Sequence, residues 1–205
     1  MADAYGPFST GPVNGSFLMP IEDIFNLKHR GIVVTGRIER GMVQVGDPIE
    51  IVGMKKPDRQ AIVRELEMFR KLLTVAQAGN TVGCLLQGVQ PTDLERGQVL
   101  ASIGSIKAYK KFSAQVQMYA KEEGGRHTPF FDGYRPGIHL RSVDIPGTLK
   151  LPYGMSMGIP GQSLEAEIEL PVPVALEVGT KFELRESGRT VGSGICTRLD
   201  DTYPY

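Results

Sequence analysis

Glu165-Ala-Glu-Ile-Glu-Leu170 alternates polar and apolar side chains without a break. Successive residues of an extended chain point to opposite faces, so the three glutamates share one side and Ala166, Ile168 and Leu170 the other. This predicts a strand with one wet and one buried face, as in an antiparallel barrel. The same style runs outward in both directions. Upstream, short β-branched runs bounded by turn residues predict strands over Gly31–Gly36, Gly46–Gly53 and Thr81–Gly88. Downstream, Phe112–Tyr119, Ile138–Val143, Ser163–Leu170, Lys181–Arg185 and Thr190–Arg198 read as five more. Helical periodicity is weak everywhere. One turn is expected at Thr92-Asp-Leu-Glu95, with Thr92 as cap and Glu95 as its box partner. The fold class is therefore all-β.

Composition bounds the function classes. The 205 residues give room for two small domains, each able to bury a core. Hydrophobic residues at 41% and charged residues at 22% are ordinary for a globular chain, while 25 Gly and 14 Pro are many, as a turn-rich fold requires. Basic and acidic side chains balance at 23 each. Without a basic field, any RNA contact has to be local. Cys84 and Cys196 stand far apart with no CxxC pair and read as two reduced core thiols. That favours a reducing compartment, cytoplasm or organelle interior, rather than secretion. His29, His127 and His139 lack metal-ligand spacing, and no Ser or Cys lies in a nucleophile motif. Neither cofactor nor metal is expected, and an enzyme is disfavoured. No apolar run approaches the roughly 20 residues that span a bilayer, and the start lacks the charged-then-apolar order of a secretory signal.

The organisation expected is a leader or extended arm over 1–16, rich in Gly, Ser, Pro and Asn; a first β-domain over 17–107; a second over 108–200; and a short tail over 201–205. The boundary is placed within Ser102–Lys111, where small and basic residues break the strand rhythm.

Phe17-Leu-Met-Pro-Ile-Glu-Asp-Ile-Phe25, Arg30-Gly-Ile-Val-Val-Thr-Gly-Arg-Ile-Glu-Arg-Gly41 and Glu67-Met-Phe-Arg-Lys-Leu-Leu73 resemble the second domain of elongation factor Tu. Glu123-Gly-Gly-Arg-His-Thr-Pro-Phe-Phe131, Gly133-Tyr-Arg-Pro136 and Gly188-Arg-Thr-Val-Gly192 resemble its third domain. The resemblance implies two antiparallel six-stranded β-barrels in tandem. It offers no counterpart of the GTP-binding domain, since only sixteen residues precede Phe17. A P-loop needs a Gly-Lys pair to reach the outer phosphates, and no Gly-Lys dipeptide occurs in the chain. Asp144-Ile-Pro-Gly147 has the D-x-x-G form of a GTPase switch but reads as a turn between strands. GTP binding by this chain alone is not expected.

The resemblance also implies a site for the aminoacylated 3′ end of tRNA. Glu67 matches the glutamate that meets the terminal adenosine, Glu22, Asp23 and Phe25 the amino-acid cleft, and Leu85 an apolar wall. Arg126, His127 and Arg189 match positions near the T stem. Departures from the family pattern fall on the same surfaces. His29 and Ser187 stand where glycines are usual, and Thr81 replaces an asparagine of the cleft. Gly137 and Val172 replace polar or basic partners of the RNA, which weakens tRNA binding because phosphate contacts supply much of RNA affinity. Glu183 occupies a small apolar position facing the GTPase domain, where an unpaired buried carboxylate would be costly. These departures favour a non-catalytic structural or partner-binding subunit of a larger assembly, ribosomal or organellar, with other protein subunits as partners. The alternative is an aminoacyl-tRNA-binding module, or the tRNA-binding half of a split elongation factor.

Overall fold

The structure, a computed structural model, describes residues 13–54 and 58–200. Most of the expected leader and the tail lie outside these residues. The chain divides after Ile106 into two compact units. Every strand pair in both is antiparallel.

The first unit contains β1 (Leu18–Pro20), β2 (Asp23–Leu27), β3 (Gly31–Arg37), β4 (Met42–Gln44), β5 (Pro48–Val52), β6 (Arg59–Met68), β7 (Lys71–Leu73), β8 (Val75–Gln77), β9 (Thr81–Gln87) and β10 (Val99–Ser102). Its main sheet has eight strands in the order β1-β10-β5-β6-β9-β3-β2, with β7 on β6, while β4 and β8 form a separate ribbon. Period-two burial explains the sheet: Ile32 and Val34 of β3 point into a core with Met19, Ile51, Val63 and Leu66. At Gly36 the chain needs a hydrogen atom for a side chain, because a β-carbon there would overlap the Pro20 carbonyl oxygen. β6 escapes sequence reading because its alternation changes phase. The register shifts between Val63 and Glu65, so the inward positions run Ala61, Val63, then Leu66.

The second unit contains β11 (Lys107–Met118), β12 (Phe130–Phe131), β13 (Gly137–Leu140), β14 (Val143–Pro146), β15 (Thr148–Lys150), β16 (Met157–Gly158), β17 (Ser163–Leu176), β18 (Lys181–Glu186) and β19 (Arg189–Leu199). A seven-stranded sheet runs β14-β13-β18-β19-β11-β17-β15, and β12 pairs with β16. The alternation at 165–170 holds: Ala166, Ile168 and Leu170 are buried. Phe112 and Phe182 meet edge to face in the core, centroids 5.6 Å apart.

Several local expectations need correction. The single strand over Ile138–Val143 is a tight hairpin, with Arg141 in the left-handed region at φ +51°. Ser163–Leu170 continues to Leu176 through Pro171 and Pro173, because the β11–β17 register is interrupted between Glu169 and Val174, where prolines cost no ladder bonds. Lys107–Lys111, taken as part of a break, opens the long strand β11. The turn near Thr92 is the 3-10 segment Pro91–Asp93, and the Asp93 carboxylate accepts from the Gln90 amide at 2.8 Å. Thr92 is inside that turn rather than its cap. Asp144–Pro146 is strand, with Gly147 following it. The main sheets hold eight and seven strands rather than the expected six.

Candidate functional site

Strand register alone assembles four of the five first-domain candidates. Phe25 lies opposite Val33, Val33 opposite Leu85 and Leu85 opposite Glu65, which makes one row across β2, β3, β9 and β6. In the next row Asp23 faces Thr35, Thr35 faces Gly83 and Gly83 faces Glu67. Directly opposed residues project from the same face. Asp23, Phe25, Leu85 and Glu67 therefore share one surface, and Gly83 leaves it shallow at the centre. Phe25 is about half exposed at 49%, whereas Leu85 is buried. Glu22 precedes β2, with its amide bonded to the Thr35 carbonyl at 2.8 Å, and stands outside these rows.

Arg30 closes this face. It sits in the β2–β3 turn, and its Nη2 donates to Glu65 at 2.8 Å and to Glu67 at 3.3 Å. Those bonds, with the charge of Glu65, push the guanidinium pKa further up. The adjacent Gly31 is close-packed, since a β-carbon there would come 3.2 Å from Leu85. Glu67 thus already has a cationic partner within the domain. His29, exposed on the same turn, holds φ +66°, a conformation that glycine adopts freely and other residues rarely do. Thr81 is exposed and lies opposite Arg37 at the start of β9, lining an open cleft of about 540 Å³ with Met68, Phe69 and Asn80. The β6–β7 hairpin beside it turns through Phe69 and Arg70, both left-handed, and leaves Phe69 88% exposed.

In the second domain the three side chains matched to the T stem, Arg126, His127 and Arg189, have different environments. The Arg126 guanidinium lies 4.8 Å from the Tyr134 ring centre, pairs with Glu186 and bonds the Thr128 carbonyl at 3.3 Å. Tyr134 donates its hydroxyl to the same Glu186 at 2.8 Å, and burial pushes its pKa up. Arg126 is part of an internal cage. His127 and Arg189 are exposed. Ser187 has φ +47° in the hairpin between β18 and β19, so like His29 it holds a glycine conformation where the family pattern has glycine. Gly137 has ordinary contact distances around a hypothetical β-carbon, 3.5 Å to the Arg185 carbonyl oxygen, so space does not demand glycine. Val172 is partly buried in the irregular stretch of β17.

Glu183 is paired on its own sheet, so it is not the unpaired buried carboxylate that would be costly at this position. It accepts from Arg185 Nη2 at 2.8 Å and Nε at 3.1 Å, and from the Thr190 hydroxyl at 3.1 Å. The Arg185 hydrogen bond holds its pKa below the ordinary carboxylate value. Arg185 also bonds Asp144, which meets His139 Nδ1 at 3.0 Å. Across the sheet, Asp144, His139, Glu183, Ser193, Gln117 and Ser163 form one polar row. Part of it borders an open groove of about 640 Å³, together with Tyr119, Lys181 and Ile195. Both cysteines are free and buried, and no helix among the described residues is long and apolar enough to cross a membrane.

Two antiparallel β-domains in tandem, the first carrying an acidic and apolar face across β2, β3, β9 and β6, define a translation-factor architecture. Residues 31–101 match the family model for elongation factor Tu domain 2, and residues 105–200 match that for the elongation factor Tu C-terminal domain. The chain belongs to the elongation factor Tu family through these two domains, and no GTPase-domain model matches it. It is an elongation-factor-derived, all-β module.

Sequence reading did not find the roles of Arg30, Glu65, Tyr134 and Glu186. A signal existed for Glu65, which stands two residues before Glu67 and so on the same face of a strand. None existed for the others, because their contacts join residues 35 to 60 positions apart.

Proposed function

We propose that this barrel pair is a non-catalytic, partner-binding or structural subunit of a larger assembly, ribosomal or organellar, in a reducing compartment. What supports the reading is that side chains matching the RNA-facing positions are already bonded within their own domains: Glu67 to Arg30, and Arg126 to Glu186 and Tyr134. A ligand would have to break those bonds and would gain correspondingly less. The left-handed His29 adds bulk where the tRNA 3′ end would need close backbone approach. On this reading GTP hydrolysis has no place in the chain's work.

One observation favours the alternative, an aminoacyl-tRNA-binding module: the register keeps Asp23, Phe25, Leu85 and Glu67 on one face. A carboxylate beside an aromatic and an apolar wall suits a ribose and a stacked base. Filter-binding titration with aminoacylated and deacylated tRNA separates the readings. The structural role expects no preference for the aminoacylated form and weak binding that vanishes with salt. Micromolar or tighter preference for the aminoacylated form overturns it.

A further inference from the structure

Among the described residues, the outer edge of β2 has no partner. β2 ends the eight-stranded sheet and is bonded to β3 alone. Among the described residues, the only backbone hydrogen bond from Asp23–Leu27 outside that pair is the Leu27 carbonyl accepting from the Arg30 amide at 3.2 Å. Four of its five residues are exposed, Phe25 and Leu27 among them. Free edges are usually guarded by proline, lysine, a bulge or a covering loop. Asp23-Ile-Phe-Asn-Leu27 contains no proline or lysine, and its register with β3 runs without a bulge. An edge left open in this way is a template for another strand.

We infer that the strand it takes is β2 of a second copy of this chain, antiparallel, with the two-fold axis at Phe25. The side chains are self-complementary in that register and need no foreign sequence. Phe25 opposite Phe25 sets Ile24 opposite Asn26, Asp23 opposite Leu27 and Glu22 opposite Lys28, and symmetry repeats each pair on the other side of the axis. The central pair is aromatic, the outermost pairs are of opposite charge, and no like charges meet. Both Phe25 rings lie on the face that carries Val33 and Leu85, so the apolar row of one copy continues into the next. The interface is small, and its association midpoint is expected at about 10–100 μM.

Sedimentation equilibrium of the full chain over a concentration series tests this. The wild type should shift from monomer to dimer. Glu22→Lys and Lys28→Glu should each weaken association about tenfold, because both symmetric pairs become repulsive. The double variant, with the charges exchanged, should return to within about threefold of wild type. Phe25→Cys should form a dimer linked through residue 25 on oxidation, since directly opposed β-carbons come within about 5 Å. The buried native thiols leave that readout clear. A wild-type chain that stays monomeric at about 500 μM overturns the inference, showing the edge to be bare or kept for a different molecule. So does a dimer indifferent to both charge reversals, or a Phe25→Cys chain that stays uncross-linked. If a charge variant melts early, the Phe25→Cys result decides.

Discussion

Replacing His29 with glycine should stabilise the first domain, and the magnitude follows from the backbone. At φ +66° the His29 β-carbon crowds its own peptide. For a residue other than glycine this costs roughly 1–2 kcal/mol. Glycine removes that cost but gives the unfolded chain more freedom, worth about 0.4–1 kcal/mol. The net gain is about 0.5–1 kcal/mol, a rise of about 2–8 °C in the melting temperature of a domain this size. Calorimetry of the full chain reads it directly. If the two domains unfold in separate steps, only the first should move. His29→Ala is the control, because it keeps the left-handed backbone and removes only the exposed imidazole, so it should change little. Equal gains from Ala and Gly would place the effect in the imidazole, and a loss on His29→Gly would show that the side chain makes a contact worth more than the strain. Either result would refute the backbone account. The same variant probes the RNA reading, since it removes the bulk while leaving Arg30 on Glu65 and Glu67.

Ser187→Gly, at φ +47° on the β18–β19 hairpin, should raise the transition of the second domain with the same sign. Gly36→Ala should cost roughly 2–4 kcal/mol in urea unfolding, because the obstructing atom is the Pro20 carbonyl oxygen and a backbone cannot rotate aside as a side chain can. Burial pushes the Cys84 thiol up to about 12, so iodoacetamide at pH 8 should label it only as the chain unfolds, and rapid labelling of native protein would contradict its burial. For Glu183 the folded pKa is depressed. Its stabilising contribution is therefore present above the unfolded value of about 4.3 and is lost as pH falls through the folded value. With the side chain 43% exposed the effect is small, under about 1 kcal/mol. The stability difference between wild type and Glu183→Gln should shrink below about pH 4, and a difference unchanged at pH 3 would assign the effect to packing instead.

The all-β fold was legible wherever alternation stayed in phase. Ala166, Ile168 and Leu170 are buried on the face expected of them, and β3, β9 and β18 fall close to their predicted spans. It was illegible where the chain slips register, at Val63–Glu65 in β6 and across Pro171–Pro173 in β17, because a bulge inverts the pattern that sequence reading relies on. The hairpin at Arg141 was hidden for another reason. Its tight loop has neither glycine nor asparagine at the left-handed position, so no turn residue announced it. At the candidate site, family resemblance named the side chains, and the register shows which of them share a face. Only folding brings Arg30 to two carboxylates 35 and 37 positions along the chain.

Three of the six departures from the family pattern, His29, Ser187 and Glu183, are of two physical kinds. His29 and Ser187 leave the backbone in a conformation suited to glycine and add a side chain to it, so the fold carries them at a cost in backbone strain. Glu183 is the opposite case. It brings a carboxylate into a network with Arg185, Thr190, Asp144 and His139 that satisfies it while it stays partly exposed. A carboxylate pressed against an apolar neighbour would be left with its charge desolvated, whereas this one is bonded on its own sheet and 43% exposed. The Glu183 face is therefore built to remain stable in water or beside a polar partner. A surface of that chemistry suits an exchangeable or hydrated contact better than a permanently buried apolar one. Any protein docked there should accordingly approach through polar groups that can meet Lys181, His139 and Ser193 around the groove.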